Sequence, residues 1–225
     1  PTVVPNNGEM ITEAVRGNGA ILVNQDGKRF INELQTRDVV SAAELKQPGK
    51  VGYLVFDTAT RKSLKAIETY IKKGLVTEGA TLDELADKLK INAANLKATM
   101  EQYAKFQADK KDAEFGRADM PRPLTEGPWF AVQVTPAVHH TMGGLRINTE
   151  AQVLDKKGHV IPGLFAAGEV TGGVHGANRL GGNAMADIVT FGRIAGRNAA
   201  EQPTGVIVPR GQKPEDAEKA AVEGK

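Results

Sequence analysis

The chain has 225 residues, with 29 Lys and Arg against 27 Asp and Glu and no cysteine. That length accommodates one large or two small domains, and the near-balance of charge implies no nucleic-acid or anionic-membrane partner. The lack of cysteine excludes disulfides, a thiolate nucleophile and a haem attachment motif within the chain; no apolar run reaches the length of a membrane span, and the first residues do not read as a signal peptide.

In chain order, Pro1 to Glu9 is rich in Pro, Asn and Gly and reads as loop. Met10 to Arg16 predicts a short helix stopped by Gly17 and Gly19. Ala20 to Val23 and Arg29 to Ile31 predict two strands joined by a turn at Gln25-Asp26-Gly27-Lys28. Asn32 to Leu45 predicts a helix ending before Gln47-Pro48-Gly49, and Val51 to Phe56 a strand. Asp57 is placed to cap a helix whose Leu64, Ile67 and Ile71 share a face. Thr81 and Glu84 form a capping-box pattern, and Asn92 to Gln107 predicts an amphipathic helix with Leu96, Met100, Tyr103 and Phe106 inward. Ala108 to Pro123 is charged and holds two prolines, so it reads as a connection between domains. Trp129 to Thr135 predicts a strand; Val153-Leu154 and His159 to Ile161 flank a turn at Lys156-Lys157-Gly158. Gln202 to Lys225 ends in a run of Asp, Glu, Lys and Ala and reads as a solvated or docked tail.

Gly163 to Ala195 carries the most information. Leu164-Phe165-Ala166-Ala167 predicts a buried strand, and the loop after it contains Gly172, Gly173, Gly176, Gly181 and Gly182. Glycine lets backbone take positive φ and approach a ligand closely. Asn183 is placed as an N-cap, and Ala184, Ile188, Phe191 and Ala195 recur at helical spacing. A strand, a glycine loop and a helix N-terminus together attract an anion or a developing negative charge. The loop also holds one cation, Arg179, and one imidazole, His175. On spacing alone the stretch reads equally well as a glycine-rich crossover into a packed helix.

The string GLFAAGEVTGGVHGANRLGGNA, preceded by HHTMGG at His139 to Gly144, resembles the fumarate reductase and succinate dehydrogenase flavoprotein family. Within that family it is most similar to the soluble bacterial flavocytochrome c fumarate reductases, over nearly all of Pro1 to Ala200. The resemblance implies an α+β chain in which a capping domain of helices and a small sheet covers 1–122. The C-terminal segment of an α/β FAD-binding domain then covers 123–201, and a tail covers 202–225. A flavoprotein of this family carries a strand-GxGxxG-helix for the FAD pyrophosphate. Here Gly17 and Gly19 stand in G-N-G-A-I-L, which lacks the third glycine. The resemblance therefore implies the C-terminal portion of a longer flavoprotein, with the N-terminal FAD-binding half as a second chain or a missing segment. The family also places a histidine immediately before Pro1.

The resemblance assigns roles residue by residue. Arg37, in NELQTRD, matches the proton-donating arginine, and Glu13 and Arg16, in MITEAVRG, match the relay that replenishes it. Thr12 and Met10 match substrate contacts, the threonine favouring a dicarboxylate; His139 and Arg179 match carboxylate ligands. His140, Gly168, Glu169, Asn183, Ala184 and Met185 match flavin contacts, Glu169 receiving a ribityl hydroxyl and the helix from Asn183 aimed at the N1/O2 edge. Some members bind sodium through backbone carbonyls that here belong to Thr141, Met142, Gly143, Glu169 and Thr171. Spacing alone leaves Glu13 and Arg16 as a surface pair, and His175 and His159 as structural histidines.

The implied reaction is FAD-dependent reduction of fumarate to succinate. The alternatives are another enoate reductase, acting on urocanate or methacrylate, and a non-catalytic fragment that binds neither FAD nor substrate alone. The implied cofactor is non-covalent FAD with no haem in this chain. The electron donor, whether a haem domain, a quinone-linked protein or reduced flavin, lies outside these residues. The location implied by the resemblance is periplasmic.

Overall fold

The structure is a computed structural model and describes residues 2–202. The chain divides into two compact units, one ending at Val138 and one starting at His139, beyond the 122/123 boundary that the resemblance implies.

The first unit holds β1 (Thr2–Val3), β2 (Met10–Ile11), α1 (Ala14–Gly17), β3 (Ile21–Val23), α2 (Arg37–Glu44) and β4 (Gly52–Asp57). There follow α3 (Thr58–Ser63), α4 (Lys65–Lys72), β5 (Thr77–Gly79), α5 (Leu82–Leu89), α6 (Ala93–Ala108) and β6 (Trp129–Pro136). The six strands form one sheet in the order β2-β1-β6-β4-β3, with β5 also paired to β6. β4 and β6 are antiparallel, from Gly52 opposite Val134 to Asp57 opposite Trp129.

Every residue of β4 is buried. Successive strand side chains point to opposite faces, and here both faces are covered. Tyr53 and Val55 pack with Leu85, Leu96, Met100 and Tyr103 of α5 and α6. Leu54 and Phe56 pack with Val15, Val40, Ile67 and Tyr70 of α1, α2 and α4. Asp57 caps α3 as its position predicts, accepting from the Thr60 amide at 2.8 Å. Thr81 caps α5 through the Glu84 amide at 3.2 Å, and Glu84 reaches back to the Ala80 amide at 2.9 Å rather than to that of Thr81.

Several expected elements are shorter. Met10 and Ile11 pair with β1 instead of starting a helix. α1 begins only at Ala14, whose amide donates to Thr12 Oγ1 at 3.3 Å. The predicted helix from Asn32 is confined to α2, because Asn32 Oδ1 accepts from the Leu34 amide in a turn and Glu33 is drawn into a buried ion network. The strand at Arg29 reduces to one bridge with Val23. The single helix expected after Asp57 breaks at Leu64, whose φ of −137° is extended.

The largest departure is the stretch after α6. Read as a connection between domains, it packs into the first unit, with Asp112, Arg117, Met120 and Leu124 buried.

The second unit holds β7 (Leu145–Arg146), β8 (Gln152–Leu154), β9 (Val160–Phe165), β10 (Thr171–Gly172) and α7 (Asn183–Glu201). β10 runs parallel to β7, and β8 antiparallel to β9. The run expected as a separate buried strand at Leu164 is the end of β9, and Leu164 itself is exposed. α7 also exposes Met185, Ile188 and Val189; an apolar face of this kind marks an interaction surface. Of the tail expected at 202–225, residues 203–225 lie outside the described residues. Among the described residues, no helix is long and apolar enough to cross a membrane.

Candidate functional site

In the first unit, Arg37 is the first residue of α2 and Glu13 the residue preceding α1. Arg37 Nε donates to Glu13 Oε1, and both side chains keep partial access to solvent. Burial works to raise the Glu13 carboxyl, but the hydrogen bond from Arg37 and the charges of Arg37 and Arg16 outweigh it and hold the group below its ordinary range. Arg16 lies deeper, 3% exposed. Burial lowers its pKa, and the charges of Glu44, Glu13 and Glu33 oppose that without cancelling it. The structure thus sets Glu13 against Arg37, with Arg16 acting on both, a grouping that the resemblance implies and spacing alone does not.

Thr12 and Met10 flank this group on the same short segment. The Thr12 amide donates to the Tyr70 hydroxyl at 3.1 Å, which ties the segment to α4. Its own hydroxyl oxygen caps α1, leaving the O–H to donate elsewhere. Met10 is exposed and presents an apolar surface.

Beneath the group lies a network that the sequence reading did not find. Glu33 accepts twice from Arg29, at 2.9 Å and 2.9 Å, and once from Arg117 at 3.1 Å. Arg29 also reaches Asp112 at 2.9 Å. Arg117 donates to the carbonyls of Arg16, Ala20 and Asp119 at 2.7, 3.0 and 2.8 Å. It thereby fixes the backbone of Arg16. Both guanidinium groups lie over the Tyr103 ring. Tyr103, buried, has its hydroxyl pushed up to about 12, Arg117 and Arg29 opposing.

In the second unit, His139 and His140 follow β6 directly; His139 is exposed and His140 half-buried. His140 Nδ1 accepts from the Met142 amide at 3.2 Å. Its ring stands edge-on to that of His175, with centroids 5.3 Å apart. His175 Nε2 pairs with Asp187 of α7 at 3.0 Å, so His175 braces the glycine loop against the helix. Asp187 was not singled out in the sequence; its signal is a carboxylate in the otherwise apolar first turns of α7. Arg179 is buried, its amide donating to the Met142 sulfur at 3.3 Å. His159 lies by its turn, 3.7 Å from Asp155, and stays outside this group.

The residues matched to a sodium site also come together. The Thr141 hydroxyl donates to the Gly143 and Glu169 carbonyls, each at 3.1 Å, and the Thr141 amide to Glu169 Oε1 at 3.2 Å. The Thr171 hydroxyl donates to the Gly168 carbonyl at 2.8 Å. Met142 sits at positive φ within the same turn.

Asn183 is the first residue of α7 and not its cap. Gly182, at φ of 85°, occupies that position, and no side chain caps the helix. First-turn amides without intrahelical partners remain at this end. A cavity of about 830 Å³ lies against Gly143, Gly144, Gly172, Gly173 and Phe191. Gly172 serves strand pairing here: a Cβ on it would lie 2.7 Å from the Gly144 amide nitrogen. The wall of this cavity also includes Arg146, Asn148 and Thr149, and none of the residues that the resemblance matches to flavin lines it.

The family model described as FAD binding domain matches residues 1–185. The chain is 54% identical over 201 residues to a fumarate reductase (cytochrome) from Shewanella frigidimarina, covering 89% of this chain and 35% of that protein. It is 42% identical over 207 residues to an NADH:acrylate oxidoreductase from Vibrio harveyi, covering 89% of this chain and 20% of that protein. Among solved structures it is similar to the open conformation of a flavocytochrome c3 fumarate reductase, with a TM-score of 0.73 and 52% identity over 89% of this chain and 36% of that one. The chain thus spans about a third of the length of the fumarate reductases it matches.

Proposed function

Because the chain belongs to the FAD-binding-domain family of the fumarate reductase and succinate dehydrogenase flavoproteins, we propose that it forms part of an FAD-dependent enzyme reducing fumarate to succinate. The observation that carries the reading is the half-buried Glu13–Arg37 pair backed by Arg16. A guanidinium hydrogen-bonded to a carboxylate with a second arginine acting on it is suited to holding and replacing one proton.

Bound FAD would supply hydride to one alkene carbon. Arg37 binds a substrate carboxylate through one part of its guanidinium fork and gives a proton from the other to the second alkene carbon. Glu13, hydrogen-bonded to Arg37 Nε, returns the proton. Arg16 resupplies Glu13, and its lowered pKa eases that transfer. The reading assigns Thr12 and Met10 to substrate contact in the first unit, and His139 and Arg179 to the carboxylates in the second. His140, Gly168, Glu169, Asn183, Ala184 and Met185 are assigned to the flavin, and Thr141, Met142, Gly143, Glu169 and Thr171 to sodium. The domain assignment is capping domain for 1–122 and FAD-binding segment for 123–201. The partners are the N-terminal FAD-binding half and an electron donor, and the location is periplasmic.

Arginines and a histidine of this kind suit a dianion. A monoacid would forgo the charge-assisted hydrogen bonds of the second carboxylate, about 1.5–3 kcal/mol each. Competition among fumarate, methacrylate and urocanate on the complete FAD-loaded enzyme tests this. Fumarate should lead in kcat/KM by at least about tenfold. A preference for urocanate or methacrylate would replace fumarate with that enoate.

A further inference from the structure

The Glu13–Arg37 pair leaves one buried carboxylate of the first unit without a role. Glu44, the last residue of α2, is 0% exposed, and Arg16 is 3% exposed. Both carboxyl oxygens of Glu44, and Nε and Nη1 of Arg16, have no hydrogen-bond partner in the protein. Yet each is the strongest opposite charge acting on the other. A bridging water between them would satisfy the orphaned atoms of both groups. Burying such groups for packing alone would leave four unsatisfied atoms, each destabilising. A hydrophobic residue would fill the site more favourably.

Position adds a second argument. Arg37 and Glu44 are the two ends of α2, which spans about 10 Å from one to the other. Arg16 is acted on by Glu44, and also by Glu13, Glu33 and Arg37. Three carboxylates therefore act on Arg16, and one of them, Glu13, touches Arg37.

Building on the function proposed above, we infer that Glu44 is a proton carrier that feeds Arg16 through one bridging water and so extends the supply line to Arg37. In each turnover the Glu44 O–H bond breaks and its proton passes to the water. The water passes one proton to Arg16, Arg16 one to Glu13, and Glu13 one to Arg37. The Glu44 carboxylate then regains a proton from solvent at the C-terminal end of α2, where Leu45 is exposed. One proton enters and one leaves, and no electrons move. Burial favours the protonated acid that the first step needs, raising the carboxyl to about 7 against the pull of Arg16.

The test compares Glu44→Gln, Glu44→Asp and Arg37→Ala in the complete FAD-loaded enzyme. Glu44→Gln should lower kcat for fumarate about tenfold or more, the low end of what proton-transfer groups supply. KM and flavin absorbance should stay unchanged, and the solvent deuterium isotope effect on kcat should rise. Glu44→Asp, which keeps a titratable carboxyl, should recover part of the rate. Independently of turnover, the infrared spectrum should show a buried protonated-carboxyl band that Glu44→Gln removes. Wild-type kcat and isotope effect in Glu44→Gln would overturn the inference, as would loss of rate with no change in isotope effect. Arg37→Ala separates the two readings: if it still reduces fumarate at near wild-type rate, the proposed function itself fails.

Discussion

Arg117 offers a stringent test of how the first unit is held together. Replacing it by Met keeps the length and apolar stem but removes the guanidinium. The carbonyls of Arg16, Ala20 and Asp119 then each lose a donor, although the Gly19 amide still reaches that of Arg16 and Asp119 is exposed, and Glu33 loses one of its bonds. Glu33 is not stranded, because Arg29 and the Leu22 amide still donate to it. Stranding the buried Ala20 carbonyl costs about 1–3 kcal/mol and each of the other lost bonds about 1 kcal/mol, and the new methionine recovers part of that by packing. The net loss should be on the order of 3–5 kcal/mol, the range found when a buried pair is broken. Trp129 is the single tryptophan and lies on β6 of this unit, so its fluorescence follows the unit's unfolding in urea. The midpoint should fall with little change in slope. Arg117→Lys should lose roughly half as much, since one ammonium cannot reach all four acceptors. A loss below about 1 kcal/mol for Arg117→Met would show that the network is not what holds the segment after α6.

Other outcomes follow from the same geometry. Arg37→Ala in the complete enzyme should abolish fumarate reduction while FAD absorbance is retained, and Arg37→Lys should keep a trace; steady-state rates on matched flavin content decide it. Burial pushes the Glu44 carboxyl up to about 7 from an ordinary 4.5, with the charge of Arg16 opposing, so folding is expected to bind a proton. Stability should therefore fall on the order of 3 kcal/mol as pH rises from about 4.5 to about 7, then level off. Urea midpoints across that range should show the slope, and an equal slope in Glu44→Gln would refute the assignment. The 225-residue chain alone should bind FAD weakly or not at all, because it carries no pyrophosphate loop. Stoichiometric flavin retained through gel filtration would show that expectation wrong.

What was legible in the sequence had a local cause. Val51 to Phe56 is an apolar run bounded by Gly49 and Asp57, and it became the central strand because both of its faces are covered. Asp57 and Thr81 cap their helices because capping needs only the next three residues. The Glu13–Arg37 pair was reached through resemblance, since the two residues lie far apart in the chain. Arg117, Asp112 and Glu44 were missed for the opposite reason. In a charged stretch a buried arginine looks like a solvated one, and only its distant acceptors reveal it. The helix expected from Asn32 failed because Glu33 gains more from Arg29 and Arg117 than from another helical turn. Asn183 was displaced as cap by Gly182, whose positive φ begins the helix without any side chain.

The glycines of the second unit have a consequence for how such a string is read across sequences. A Cβ at Gly144 would lie 2.1 Å from the Val170 carbonyl oxygen, so no L-residue of any kind fits there. At Gly173, by contrast, a Cβ would meet nothing within 4 Å, and the demand is on handedness alone, at φ of 95°. A saturation library should therefore return only glycine at 144, whereas at 173 asparagine should survive and a D-alanine placed by chemical synthesis should do as well as glycine. Identical letters in the string thus record two different constraints: contact between neighbouring strands at one position, and chirality of the backbone at the other.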